Sequence, residues 1–372
     1  MTSARDAPPR PLGEAVLDGG SHPAASGPHR LLVVEGEGIG PEVLAASLEV
    51  LAAVEEDGGG AVGVQVLRDE RVDAVAAACR DAFAAGGALL AGPRGGRFVY
   101  DLRRALGLYC KISPINPWPE LWEVGCLRAA ARRDVDLLVV RENLFGVYQG
   151  EAVEHRDQAR GRWVEHRFAY PEGPVRRVLR LGARLAQGRR GRMAVVVKEG
   201  GLPALSRLWR DCATEIAADH GVGCTLLDVD YAAYCMVQHA AELDVLVAPN
   251  LFGDVLSDLG GLLLGSRGLT FGGSFGAVPG AVYQTNHGAA HDLAGRDRAD
   301  PAAQILALAM LLRESFGMAR EAAVLEQALR RVWAAGWRTE DLAEEGCRIV
   351  GTREMGRLTA RAVAEVRERA GV

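Results

Sequence analysis

At 372 residues, with 49% hydrophobic side chains and a formal charge of -5, the chain can bury one large core or two moderate ones, and two domains are expected. That acidic balance, with a pI near 6.0, argues against a nucleic-acid or acidic-membrane partner, since either wants a concentrated basic surface. Seven scattered cysteines without a CxxC pair indicate neither a disulfide framework nor a zinc site, and a reducing cytoplasm fits them.

Residues 1–29 are rich in Pro, Gly, Ser and Ala and lack a continuous apolar segment, so they read as a disordered tail and as neither signal peptide nor membrane anchor. Leu31 to Val34 predicts a strand, followed by a glycine loop from Gly36 to Glu42 and a helix through Val43, Leu44, Leu48 and Leu51. This is no GxGxxG fingerprint, and a tight strand-to-helix turn with Pro41 at the first helical position explains it equally well. Ala88 to Gly92 predicts another strand, then Arg94, Arg97 and a helix with Arg103 and Arg104: an anion site or a solvated helix face, the two being even at this point. The prolines at 114, 117 and 119 make Lys111 to Leu121 an extended crossing segment near a domain boundary.

Asp136 to Val140 predicts a strand that delivers Arg141, Glu142, Asn143 and Tyr148 to its tip, where α/β enzymes keep their chemistry. Val-Glu-His-Arg then occurs twice, at 153–156 and 164–167, predicting a hairpin too exposed to stand alone and suited to an intermolecular sheet. Its histidines, His155 and His166, read as solvated. Ala194 to Val197 predicts a strand ending in Lys198, one of only two lysines in a chain that otherwise uses arginine, so an amine able to lose a proton is implied. A third strand end places Asp228, Asp230 and Tyr231 together. The predicted strand Val245 to Ala248 leads into a segment where Asp254 and Asp258, four apart, would share one helix face. Two such carboxylates repel unless a cation lies between them, and a hard ion such as Mg²⁺ or Mn²⁺ suits them. Glycines 260, 261, 265 and 268 allow close backbone approach there. Tyr283 to Asp300 is a long irregular segment of the kind that binds a ligand, and the helices after it serve packing.

These stretches, in this order, closely resemble the isocitrate/isopropylmalate dehydrogenase family of β-decarboxylating dehydrogenases. The family's GDGIGPE is GEGIGPE at 36–42, RENTEGxYxG is RENLFGVYQG at 141–150, the FGDILSD motif is NLFGDVLSD at 250–258, and HGSAPDIAG is HGAAHDLAG at 287–295. The resemblance implies a two-domain α/β fold with a mixed, non-Rossmann sheet. Residues 30–108 plus 265–372 would form the first domain, and 109–264 the second with a dimerisation hairpin near 151–168. It implies a cytoplasmic homodimer with shared active sites, using NAD and Mg²⁺ or Mn²⁺ on a small 2-hydroxy diacid, with no membrane or nucleic acid.

By position, Tyr148 matches the proton donor and Lys198 the base, acting in the partner's site. Arg103 and Arg141 match substrate-carboxylate arginines, Asp254, Asp258 and Asp230 the metal ligands, and Ile39, His287, Gly288, Ala290, Asp292 and Asp300 the NAD site. Three positions depart: Ser113 replaces a carboxylate arginine, Gly200 an asparagine, and Gln284 an acidic residue. Arg97 stands where isocitrate enzymes place a substrate-reading serine. The expected activity is therefore oxidative decarboxylation of a 3-substituted malate with a polar or anionic substituent. The alternatives are a catalytically silent regulatory subunit and a malate- or tartrate-type dehydrogenase.

Overall fold

The computed structural model describes residue 12, residues 28–55 and residues 62–370. The tail expected over residues 1–29 therefore lies, but for residues 12, 28 and 29, outside the described residues. β1 His29–Val34 leads into α1 Gly40–Glu55, β2 Val62–Val66 into α2 Val72–Ala84, and β3 Ala88–Ala91 into α3 Phe98–Ala105. Next come β4 Cys110–Ile115, β5 Leu137–Glu142, and a hairpin of β6 Glu151–Asp157 and β7 Gly161–Arg167. α4 Glu172–Gln187, β8 Arg192–Val197, α5 Pro203–His220, β9 Gly223–Asp228 and α6 Val229–Gln238 precede β10 Val245–Ala248 and α7 Asn250–Leu264. β11 Phe271–Phe275 and β12 Ala281–Thr285 are followed by α8 Ala302–Glu314, α9 Ala319–Ala334 and α10 Thr352–Ala370.

Ten strands form one sheet in the order β2-β1-β3-β12-β11-β4-β5-β10-β8-β9. Pairing is parallel toward both edges and antiparallel across β12, β11, β4 and β5, so the sheet is mixed and does not follow the Rossmann strand order. Residues before 109 and after 264 supply β2, β1, β3, β12 and β11; residues 109–264 supply the other five. Strands β5, β10 and nearly all of β8 are buried along their length, which explains their continuous apolar runs: helices cover both faces. Among the described residues no helix is long and apolar enough to cross a membrane.

One sequence expectation is corrected here. Lys111 to Ile115 is no crossing segment but lies within the central strand β4, in spite of Pro114. Pairing with β11 runs only from Cys110 to Ile112, so the proline sits beyond that ladder, where its missing N–H costs the sheet nothing on the β11 side. Strand ends now converge on α7. A Cβ at Gly253 would fall 2.8 Å from Arg141 Cβ, and one at Gly260 would fall 2.3 Å from Ile115 Cδ1, so these glycines let α7 lie directly on β5 and β4.

Candidate active site

Arg141 organises the centre of the site. It ends β5 with its side chain 3% exposed, and its Nε and Nη2 donate to Asn250 Oδ1 at 3.1 and 2.8 Å. Its Nη1 donates to Asp254. Asp254 and Asp258 lie one turn apart on α7, as their spacing predicts, and Asp258 accepts from Arg267 at 2.7 Å. The expectation that only a cation could relieve their repulsion is corrected: each already faces its own arginine. Both remain about a third exposed, so their hard oxygen donors are open to an ion. Among the described residues there is no group of three or more potential ligands, and a cation on this pair would need a further carboxylate from outside it.

Tyr148 lies under this group, with the Arg141 guanidinium 5.4 Å from its ring centroid and the Tyr100 ring 5.0 Å away. Burial, and after it the Asp254 charge, raise the Tyr148 pKa, so the phenol keeps its proton. Arg103 and Lys111 are each 4% exposed. Neither side chain has a hydrogen bond or ion pair among the described residues, and Arg103 Nε is buried without a partner. Burial and the Arg141 charge push Arg103 down to about 9, which leaves it charged at neutral pH. Burial pushes Lys111 well below the ordinary lysine value, so these two buried basic groups, with no carboxylate in ion-pair contact among the described residues, form a candidate anion site. Ser113 is buried nearby, and its Oγ accepts from Asn286 Nδ2 at 3.1 Å.

A second group forms at the tips of β8 and β9. Lys198 Nζ donates to Asp230 Oδ1 at 2.5 Å and to Asp228 Oδ2 at 3.4 Å, and the Asp230 bond, first of all, raises the lysine pKa. Among the described residues this group shares no hydrogen bond or ion pair with the Arg141 group or with Tyr148.

The third feature is a cavity of about 660 Å³. Ile39, His287, Gly288, Ala290, Asp292 and Asp300 all line it. The glycine loop and the His287 loop meet because Gly38, at φ +61°, has no Cβ: one there would sit 1.9 Å from Ala289 O. Ile39 N then donates to that same oxygen at 2.9 Å. Burial lowers the His287 pKa and raises that of Asp300, whose carboxylate also faces Asp341. Asn286, one residue before this loop, binds Ser113 and so ties the cavity to the anion site.

The model of the family described as isocitrate/isopropylmalate dehydrogenase matches residues 30–358. The chain belongs to the isocitrate/isopropylmalate dehydrogenase family. It is 37% identical over 353 residues to the 3-isopropylmalate dehydrogenase of Nitratidesulfovibrio vulgaris, covering 89% of this chain and 98% of that one. It is 35% identical over 352 residues to the enzyme of the same name from Thermosynechococcus vestitus, covering 89% and 97%. The crystal structure of isocitrate dehydrogenase from Methylococcus capsulatus matches with a TM-score of 0.78 at 29% identity, over 90% of this chain and 99% of that one.

In this member of the isocitrate/isopropylmalate dehydrogenase family Arg97, expected at a substrate-reading position, is already engaged within the chain. The side chain is 58% exposed, donates to Asp101 and to Tyr148 O at 3.2 Å each, and thus has partners before any substrate arrives. The four-residue spacing on one helical face, from 97 to 101, is the physical reason. Of the other departures, Gly200 faces open space, and Gln284 is buried with its amide donating to Thr285 O. Sequence reasoning missed Lys111 and Asn250. Lys111 carried two readable signals: the chain's scarcity of lysine, and its i, i+2 relation to Ser113.

Glu142 adds a pH dependence. It is 1% exposed and accepts from Leu144 N and Phe145 N at 2.9 Å each, yet burial pushes its carboxyl up to about 7. The fold thus favours the protonated form: this contribution to stability is full below the ordinary carboxylate value of 4.5 and is lost as pH rises toward about 7. Glu142→Gln is expected to flatten denaturant-measured stability across that window. A slope equal to that of the unaltered chain would refute the assignment.

Proposed function

We propose that this chain oxidatively decarboxylates a 3-substituted malate, using NAD⁺ and a divalent cation. The observation that carries this is the pair of buried basic side chains, Arg103 and Lys111, which have no hydrogen bond or ion pair among the described residues and lie near Arg141 and Asp254. A dianionic hydroxy acid supplies the charge these side chains lack. Asp254 and Asp258, with Asp230 of a second copy, would hold the cation, which would supply Lewis-acid stabilisation at the substrate hydroxyl, and the cavity lined by Ile39, His287 and Asp292 would hold NAD⁺ as hydride acceptor. Lys198, also from the second copy, accepts the hydroxyl proton. That requires Asp230 to be engaged elsewhere, because its present ion pair favours the charged amine. Once CO₂ has left, Tyr148 returns a proton to C3, a task suited to a phenol whose proton is firmly held.

A homodimer is the assembly we infer, supported by surfaces without partners among the described residues. β6 and β7 pair there only with each other, and expose Val153 and Val164. Tyr231 and Tyr234 stack on α6, and with Val255 and Leu262 on α7 leave apolar side chains in solvent.

A polar or anionic group at C3 would be read by Arg97, which must exchange its bonds to Asp101 and Tyr148 O for the substituent. Isopropylmalate, on which the two bacterial relatives are named to act, is the competing choice. Purified protein with Mn²⁺, NAD⁺ and a panel of malates bearing isopropyl, carboxymethyl, carboxyethyl and phosphonomethyl groups decides both points through reduced-nicotinamide absorbance and CO₂ release. No turnover with any of them overturns the function; isopropylmalate as best substrate, unaffected by Arg97→Leu, overturns the substituent.

Cofactor choice turns on Asp292, exposed at the cavity, where a carboxylate suits ribose hydroxyls and repels a 2′-phosphate. The two arginines in the lining are already paired, Arg298 with Glu340 and Arg267 with Asp258. NAD⁺ is expected to exceed NADP⁺ by about a hundredfold in kcat/KM, since a like-charge contact costs several kcal/mol. Asp292→Asn should shrink that ratio, and equal values in the unaltered chain would sink the assignment.

A further inference from the structure

We propose that Lys111 is a substrate-carboxylate ligand, supplying from position 111 the positive charge that position 113 lacks. The inference rests on the function proposed above and adds a specificity-determining residue to it. Positions 111 and 113 are two apart on β4, so their side chains leave the same face of the sheet. Lys111 lies directly across β4 and β5 from Arg141, and across β4 and β11 from Ser274. Its aliphatic stem runs against the β11 backbone: a Cβ at Gly272 would fall 3.2 Å from Lys111 Cε and 2.9 Å from Ser113 Oγ. No larger residue at 272 would leave both side chains where they are.

Burial, and after it the Arg103 and Arg141 charges, hold the Lys111 pKa well below the ordinary lysine value. Asp254 and Asp258 attract the amine, but the first is paired with Arg141 and the second with Arg267, and among the described residues no carboxylate comes within ion-pair distance of it. An anion from outside the described residues would supply that partner and favour the charged amine. A carboxylate of the diacid fits, because Lys111 and Arg103 lie near enough to repel each other and neither has a hydrogen bond or ion pair among the described residues, Arg103 meeting only the Tyr100 ring at 5.8 Å. A point-charge ammonium on a flexible stem also holds a carboxylate less directionally than a forked guanidinium would, so this pocket should tolerate more variation in how that carboxylate is placed.

The test is calorimetric titration of the Mn²⁺-loaded protein with malate, the core common to all candidate substrates, together with kcat and KM on the best panel substrate. Lys111→Met is expected to weaken malate binding and raise KM by on the order of a hundredfold, as for a lost charge-assisted bond, with NAD⁺ affinity unchanged. Adding Ser113→Arg to Lys111→Met should recover at least about tenfold of that loss, which a merely structural role for Lys111 would not allow. Malate affinity retained within about twofold in Lys111→Met overturns the proposal. A second measurement needs no variant: with two lysines in the chain, ¹⁵N-lysine labelling gives two side-chain signals. Saturating malate should shift the Lys111 signal, and an unmoved signal at saturation refutes the contact. If the unaltered protein binds no 2-hydroxy diacid, the proposed function itself fails; binding that is indifferent to Lys111 leaves the function standing and removes only this residue.

Discussion

Asp254→Asn is expected to lower turnover by roughly a thousandfold, because metal-ion stabilisation of developing charge is worth several kcal/mol and a neutral amide is a poor ligand for a hard cation. The same change has a second consequence that the structure makes specific. Arg141, only 3% exposed, loses the anion paired with its Nη1 and keeps Asn250 Oδ1 as its remaining acceptor. A loss of about 1–3 kcal/mol in stability should follow, the usual cost of depriving a buried polar group of its partner. Cation binding separates the two effects. Mn²⁺ should raise the Tm of the unaltered protein through preferential binding to the native state, and should do so far less in Asp254→Asn. A Tm indifferent to both Mn²⁺ and chelator in the unaltered chain would show that Asp254 serves only to pair with Arg141.

Tyr148→Phe is expected to cost between about 10² and 10⁴ in kcat, the range for removing a positioned general acid, while KM and Tm stay close to their original values. The ring survives the change, so its packing against Tyr100 and under Arg141 survives too. In the proposed reaction the proton is returned after hydride and CO₂ have departed, so the defect should lie in the last step. A rapid-mixing experiment should then show a burst of reduced nicotinamide followed by slow turnover. Slow hydride transfer with no burst would place Tyr148 earlier in the sequence of events. A kcat within about threefold of the unaltered enzyme would remove it from proton transfer altogether.

Much of this molecule was legible before any coordinates. Apolar runs ending in charge or glycine marked β1, β3, β5, β8 and β10, since a strand covered on both faces must be apolar throughout and its chemistry can only begin where the run stops. The four-residue spacing of Asp254 and Asp258 placed both on one helical face by periodicity alone, and α7 is helical across both. Four ordered motifs were enough to point to the family.

What the sequence could not determine depends on residues far apart in the chain. Pro114 argued against a central strand, yet β4 is central, because the β11 ladder ends at Ile112 and the proline's missing donor falls outside it. The two aspartates suggested unrelieved repulsion, but Arg141 and Arg267 arrive from 113 and 9 residues away in sequence. Lys111 is the reverse case: local sequence showed one lysine in an extended segment, whereas its burial without an anion arises only when β4 lies between β11 and β5 and α7 crosses above them. Periodicity and residue chemistry are local and can be read along the chain. Whether a buried charge has a partner is decided by which strands become neighbours, and only the tertiary structure sets that.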